Sequence, residues 1–354
     1  MNPLALPPRP RILVIALRRL GDVLLTTPLI RSLRRAYAGA AIDVLVFADT
    51  AGILEGNPDI DRTITMPPQP SAWQSLICAA RLIGRYDLAV STQSGDRPTV
   101  FAILAARVRL APIEARLSGR IKNALLQRSV PHDQHAHRVE AVLRLVDALG
   151  LPRAAELVPP RAAFAAELPE GDYAVVHAAP MFHYKRWTAA GWRALADALA
   201  ARGLTVIATG GPAAAERGYL DEVWQGTPVL RRDGTLGWGA LSGLIGKTRL
   251  FVGPDTSVTH LAAAIGCPTV ALYGPTDPRL WGPWPAGGLA EAWNATGAVQ
   301  RRGNVFLVQN AFPCTPCQLE GCERRLDSYS ACLDALPLPQ VLTAVDEALA
   351  LARA

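Results

Sequence analysis

Apolar residues follow two alternating patterns along the chain. Arg11–Leu17 is a short continuous apolar run, and the turn Arg18-Arg19-Leu20-Gly21-Asp22 leads into helical spacing from about Val23 to Tyr37. Ile42–Ala48 is the next apolar run, so the first fifty residues read as a βαβ unit opening a parallel sheet. Asp87–Ser91 continues that sheet. Arg138–Leu149 is an amphipathic helix stopped by Gly150, the residue type that suits a left-handed helix end. The pattern breaks in the Pro-rich stretch 151–170 and then restarts. Tyr173–His177 reads as a strand, Thr188 as the N-cap of a helix whose Trp192, Leu195 and Leu199 share a face, and Leu204–Thr209 as the following strand. Leu250–Gly253 and Thr269–Tyr273 are strands flanking a short helix over Thr256–Ile265, and Leu338–Arg353 is a final helix. Two doubly wound α/β domains follow, over 1–165 and 170–337, with the helix 338–354 after them. In such sheets ligands bind beyond the carboxyl ends of the strands, so the chemistry is expected in those turns and in a cleft between the halves.

The 354 residues are 50% hydrophobic and 19% charged, which excludes an acidic disordered chain. No apolar run reaches the ~18–20 residues of a membrane helix. The run near the start is also too short for a secretory signal core of about 7–15 residues. A cytoplasmic protein is expected. Charge is distributed unevenly: residues 1–168 hold 21 Lys+Arg against 14 Asp+Glu, a net +7, while residues 169–354 hold 15 against 16. Only Lys122, Lys185 and Lys247 are lysines; the remaining basic residues are arginines, whose planar fork suits phosphate and carboxylate. An anionic partner is therefore expected for the first half. Its densest basic segment runs from Arg107 to Arg128 and includes Arg109, Arg116, Arg120 and Lys122 with one acid, Glu114.

Several residues stand where chemistry is expected. Asp22, between a strand and a helix, suits either a helix cap or a general base. Asp255, Thr256, Ser257, Val258 and His260 lie at the start of the helix after a strand, where free amides make an anion site that fits a diphosphate. Lys185 follows the carboxyl end of a strand, where a point charge meets a phosphate. Gly246-Lys247-Thr248 ends like a P-loop, but position 241 is Leu where that motif requires Gly. No G-x-G-x-x-G follows the first strand. Cys314, Cys317, Cys322 and Cys332 have the spacing C-x₂-C-x₄-C-x₉-C, which fits either a metal site or thiols bracing a loop-rich segment. His132, His135 and His137 cluster without a matching acid and read as a polar loop.

Three blocks together resemble glycosyltransferase family 9, the bacterial lipopolysaccharide heptosyltransferases. They are Arg11–Ile15 with Gly21–Pro28, then Lys185-Arg186-Trp187, then Asp255–Ala264 with Ala271–Thr276. Asp22–Leu45 followed by Asn57-Pro58-Asp59-Ile60 is most similar to the heptosyltransferase III subgroup. The resemblance implies a GT-B architecture of two Rossmann-like domains, with the acceptor on the first and the nucleotide sugar on the second. It implies inverting transfer of a heptose or related sugar from a nucleoside-diphosphate sugar, ADP-heptose, to the lipopolysaccharide inner core at the inner membrane, with no cofactor and no nucleic acid. Asp22 would be the general base, Lys185 and the amides at Thr256–Val258 would stabilise the departing diphosphate, and Glu216 would bind the ribose. The basic segment, through Arg116, Arg120 and Lys122, would meet the anionic acceptor. Ser257 stands where many members have Gly, and Ala178-Ala179-Pro180 replaces a more usual Gly-containing turn. An epimerase of the same fold, using His177 or His183 as acid/base groups, or a catalytically silent carbohydrate binder are the competing readings.

Overall fold

The computed structural model describes residues 6–115, 117–162 and 168–351. The chain divides into two units, Met1–Pro160 and Arg161–Ala354. The first holds six strands: β1 (Arg11–Ile15), β2 (Ala41–Phe47), β3 (Arg62–Met66), β4 (Tyr86–Ser91), β5 (Ala106–Ile113) and β6 (Arg128–Pro131). They pair in parallel in the order β3-β2-β1-β4-β5-β6. The central strands are covered on both faces, which is why their sequences are continuous apolar runs rather than alternating ones. The helices of this unit are α1 (Leu20–Leu24), α2 (Thr27–Ala36), α3 (Ala72–Leu82), α4 (Asp96–Ala105), α5 (Leu117–Leu125) and α6 (Arg138–Leu149). Right-handed crossovers put α3, α4 and α5 on one face of the sheet, because all three carry the chain in the same direction across it, and α2 on the other, where it packs on α6.

The helical spacing from Val23 to Tyr37 proves to be two helices, α1 and α2. Pro28 has no N–H to give the Leu24 carbonyl. The Thr27 hydroxyl donates to that carbonyl instead, at 2.7 Å, and the Thr26 hydroxyl donates to the Asp22 carbonyl at 2.9 Å. The chain turns there without leaving a buried acceptor unpaired. Gly150 takes the left-handed conformation expected of it, with φ of 73°.

The second unit carries β7 (Tyr173–His177), β8 (Thr205–Thr209), β9 (Leu230–Arg231), β10 (Leu250–Pro254), β11 (Thr269–Tyr273), β12 (Val299–Arg302) and β13 (Val305–Gln309). Their order is β12-β13-β11-β10-β7-β8-β9, parallel except for the antiparallel edge strand β12. Its helices are α7 (Ala189–Ala201), α8 (Ala214–Val223), α9 (Trp238–Ile245), α10 (Ser257–Ile265), α11 (Pro278–Trp281), α12 (Ala331–Asp334) and α13 (Leu338–Leu351). The terminal helix α13 belongs to this unit: Val341, Ala344, Val345 and Ala348 share one buried cluster with Trp187, Trp192, Val252 and Leu333. Trp187 and Trp192 meet edge to face at 5.2 Å, and the Trp187 indole N–H donates to the Leu336 carbonyl.

Candidate active site

In each sheet the strand order reverses once, and loops leaving adjacent strands in opposite directions open a crevice at that point. In the first unit the reversal lies between β1 and β4, and Asp22 follows β1. Asp22 is buried, at 7% exposure. It is not a helix cap: Arg19 holds the N-cap position of α1, and no side chain caps that helix. Instead two guanidiniums face one carboxylate oxygen, with Arg18 Nε 3.2 Å and Arg138 Nε 3.1 Å from Oδ1. Arg138 opens α6, and its Nη2 donates to the Thr92 carbonyl at 3.1 Å, just beyond β4 on the other side of the reversal. Burial holds the Arg138 guanidinium below its ordinary range; Asp22 opposes that shift and the neighbouring Arg18 adds to it.

In the second unit the reversal lies between β7 and β10. Lys185 follows β7 and Asp255 follows β10, and the two meet there with Nζ 2.5 Å from Oδ2. The same oxygen accepts from the Thr276 hydroxyl at 2.7 Å, while Oδ1 faces the Tyr273 hydroxyl at 3.4 Å and His260 Nε2 at 3.9 Å. Burial alone would raise the Asp255 pKa, but Lys185, His260 and the two hydrogen bonds outweigh it and hold the carboxylate below its ordinary value. Thr256 caps α10 by accepting from Thr259 N, and the Thr259 hydroxyl donates to the Pro254 carbonyl. The amides of Ser257 and Val258 precede the first intrahelical bond and point out of the helix start. Ser257 has no left-handed backbone angle, so a side chain is accommodated where other members have Gly. Glu216, in the first turn of α8, reaches back to accept from Gly211 N at 2.5 Å. A Cβ at Gly211 would lie 2.6 Å from the Glu216 carboxylate, so this close approach depends on glycine. The three loops therefore leave the neighbouring strands β8, β7 and β10.

The turn His183–Lys185 is braced by a later segment. His183 Nδ1 donates to the Ser328 carbonyl at 2.9 Å, the Ser330 hydroxyl donates to the Tyr184 carbonyl at 2.6 Å, and Trp187 is tied to Leu336.

The family model of glycosyltransferase family 9 (heptosyltransferase) matches residues 98–302, more than half of the chain. The chain belongs to glycosyltransferase family 9. It is 31% identical over 284 residues to lipopolysaccharide heptosyltransferase 3 of Escherichia coli, spanning 75% of this chain and 83% of that relative. A glycosyltransferase family 9 structure from Veillonella parvula matches with a TM-score of 0.75 at 19% identity, covering 96% of this chain and 97% of the other. The Escherichia coli heptosyltransferase WaaC with ADP-2-deoxy-2-fluoro heptose matches with a TM-score of 0.71 at 20% identity, covering 95% and 99%. These structural likenesses establish the fold, and the two parallel-sheet units have the GT-B architecture expected from the motifs. Lys185, Glu216 and Asp255 fall inside the matched span, and Asp22 precedes it.

Other residues of this family 9 glycosyltransferase are placed differently from one another. Lys122 is committed within its own unit: Nζ donates to the Ser94 carbonyl at 2.8 Å and lies 2.6 Å from Asp96 Oδ1. Arg120 is exposed on α5, and Arg116 lies outside the described residues. Arg109 and Arg128 spend their guanidiniums on the carbonyls of Ala106, Leu125 and Ala148. The four clustered cysteines are free, Cys314 and Cys322 exposed and Cys332 buried. Among the described residues no three His, Cys, Asp or Glu side chains are grouped to hold a metal ion. Cys78 and Cys267 are core residues, and the Gly246–Thr248 stretch closes α9, with Thr248 bonded to the Tyr173 and Leu250 carbonyls. Two contributors were not singled out in the sequence. Arg138 looked like an ordinary helix residue, and Thr276 closed a matching block without any signal of its contact with Asp255.

His177 ends β7 with Nδ1 3.1 Å from the Thr209 hydroxyl, and burial pushes its pKa down from 6.5 to about 4. The folded protein keeps this imidazole neutral, while the unfolded chain protonates it below about 6.5. Stability from this group is thus intact above pH 6.5 and lost as pH falls toward 4. Urea midpoints measured across that window should fall less steeply for His177→Gln than for the wild type, and parallel slopes would show that His177 does not set this dependence.

Proposed function

We propose that this glycosyltransferase moves a heptose from ADP-heptose to the lipopolysaccharide inner core by a single inverting displacement. The observation that carries the reading is the Lys185–Asp255 pair beside the open amides of α10 at the reversal point of the second sheet. The remaining ammonium protons of Lys185 and the open amides are donors that a diphosphate can accept from. The relatives' heptosyltransferase activity and the ADP-heptose analogue in WaaC support the donor.

In the proposed step an acceptor hydroxyl oxygen bonds to the anomeric carbon as the bond from that carbon to the diphosphate oxygen breaks. The hydroxyl proton passes to the Asp22 carboxylate, whose charge Arg18 and Arg138 face at 3.2 and 3.1 Å. Lys185 and the amides of Ser257 and Val258 stabilise the charge growing on the leaving ADP. Asp255 holds Lys185 in place, with His260 beside the other oxygen of that carboxylate, and Glu216 meets the ribose. The reaction written this way uses side chains and amides of the chain itself. Arg120 and Arg116 would contact acidic groups of the acceptor, with Lys122 as the strut that keeps α5 in position. The protein would work in the cytoplasm, in peripheral contact with the inner membrane, and without nucleic acid. Among the described residues, no helix is long and apolar enough to cross a membrane.

The test is ADP release from ADP-heptose with and without delipidated lipopolysaccharide core. Release that requires acceptor, and that declines with salt less steeply in Arg120→Gln, supports the reading. ADP released equally well without acceptor would overturn it.

A further inference from the structure

Of the twelve large hydrophobic side chains exposed among the described residues, seven lie on α3, α4, α5 or the residue closing α3. On α3 the inner residues Cys78, Ala79 and Leu82 are buried against the sheet, yet the outer face is apolar too. Trp73, Leu76 and Ile83 recur at helical spacing there, 68%, 58% and 57% exposed. A surface helix normally turns charged residues outward. Val100 and Leu104 make an outer row on α4, and Ile121 and Leu125 are exposed on α5. The α3 and α4 rows adjoin. The Gly84 amide donates to the Leu104 carbonyl at 3.0 Å, bringing Ile83 beside Leu104, and Lys122 ties α5 to the start of α4 through Asp96. Around this surface the charge is one-sided. The three helices contain Arg81, Arg97, Arg120 and Lys122 against a single acid, Asp96, which Lys122 already occupies.

We infer that the outer face of α3, α4 and α5 docks on an anionic lipid bilayer, the apolar rows entering the interface and the arginines meeting lipid phosphates. A contiguous exposed apolar surface marks an interaction site. The basic rim with a Trp at one end is the composition of interfacial helices and not of a protein-binding core, which is depleted in charge. In this topology the helix starts lie at the carboxyl edge of the sheet, the edge that bears Asp22. A bilayer on this face would therefore present a lipid-linked acceptor to that edge. The inference rests on the proposed lipopolysaccharide acceptor, and it adds the surface and the lipid charge that would deliver it.

The experiment is sedimentation of the full chain with phosphatidylcholine vesicles, alone or with about 30 mol% phosphatidylglycerol, at low and high salt. The wild type is expected on the anionic vesicles only. Each of Arg81→Gln and Arg97→Gln should weaken binding about fivefold at low salt. Trp73→Ser/Leu76→Gln/Ile83→Gln should lower it at least about tenfold, with the melting temperature and transfer to delipidated core unchanged because the replaced groups face solvent. The arginine variants keep the test open if the triple variant folds poorly. The inference fails if the wild type ignores anionic vesicles, if both sets of variants bind like it, or if light scattering shows a dimer that the triple variant abolishes, in which case a second copy covers this face. Vesicle binding is read without turnover. A lost transferase activity with intact binding would sink the proposed reaction alone, and the reverse result would sink this surface alone.

Discussion

Asp22→Asn is expected to reduce turnover per folded molecule by about 10²–10⁴, the range of general base catalysis, with ADP-heptose affinity unchanged. The amide keeps the carboxylate's shape but cannot take the acceptor proton. The structure adds a second effect. Arg138 is buried and faces Asp22 at 3.1 Å, so removing the negative charge leaves a buried cation without its counter-ion, a loss of about 3–5 kcal/mol for a buried pair. Kinetics must therefore be normalised to the folded fraction by circular dichroism. Arg138→Met/Asp22→Asn should regain part of the stability and none of the turnover. Turnover within tenfold of wild type on that corrected scale would remove Asp22 from the chemistry and leave it as the anchor of two arginines.

Lys185→Ala should weaken ADP-heptose binding in calorimetry and also lower turnover, since an ammonium near the diphosphate helps most as charge builds on the leaving group. Here too stability changes with function. Asp255 is almost wholly buried, and Lys185 is the first of the groups that hold its carboxylate below the ordinary value. A carboxylate with a depressed folded pKa contributes stability above its unfolded value of about 3.9 and loses it as pH falls through the folded one. Without Lys185 the folded pKa rises, so acid unfolding should begin at a higher pH than in the wild type. Lys185→Met/Asp255→Asn removes both charges and should recover stability while turnover stays low. Wild-type donor affinity in Lys185→Ala would place the diphosphate elsewhere.

What could be read from the residues was what local physics decides. Strands covered on both faces appear as unbroken apolar runs, so β1, β2, β7, β10 and β11 were visible. The caps Thr188 and Thr256 and the terminator Gly150 follow from which groups satisfy helix ends. Pro28 carried the signal for the break between α1 and α2, but the apolar spacing continued across it and hid the break. The hairpin β12–β13 did carry a turn signal, the pair Gly303-Asn304 with Gly303 at φ of 54°, but Arg301 and Arg302 interrupt the apolar pattern of β12 and hid the strand beside it. The Asp22–Arg138 contact was invisible for a different reason: it depends on α6 returning across the sheet. The same is true of Lys122, whose place in a basic run suggested a cation for the acceptor, whereas the fold brings Ser94 and Asp96 to it.

The braces on the His183–Lys185 turn also bear on the order of events at the ribosome. Ser328, Ser330 and Leu336 fix that turn, and α13 comes after them in the chain, its apolar face completing the core around Trp187. Domains of a growing chain fold from the N-terminal side as they emerge. The first sheet can form while the second is still being made, but the turn that carries Lys185 lacks its brace until the chain has grown 145 residues past His183. A nascent chain that stops short of Ser328 is expected to carry a folded first sheet beside an unbraced Lys185 turn, and so to hold ADP-heptose poorly.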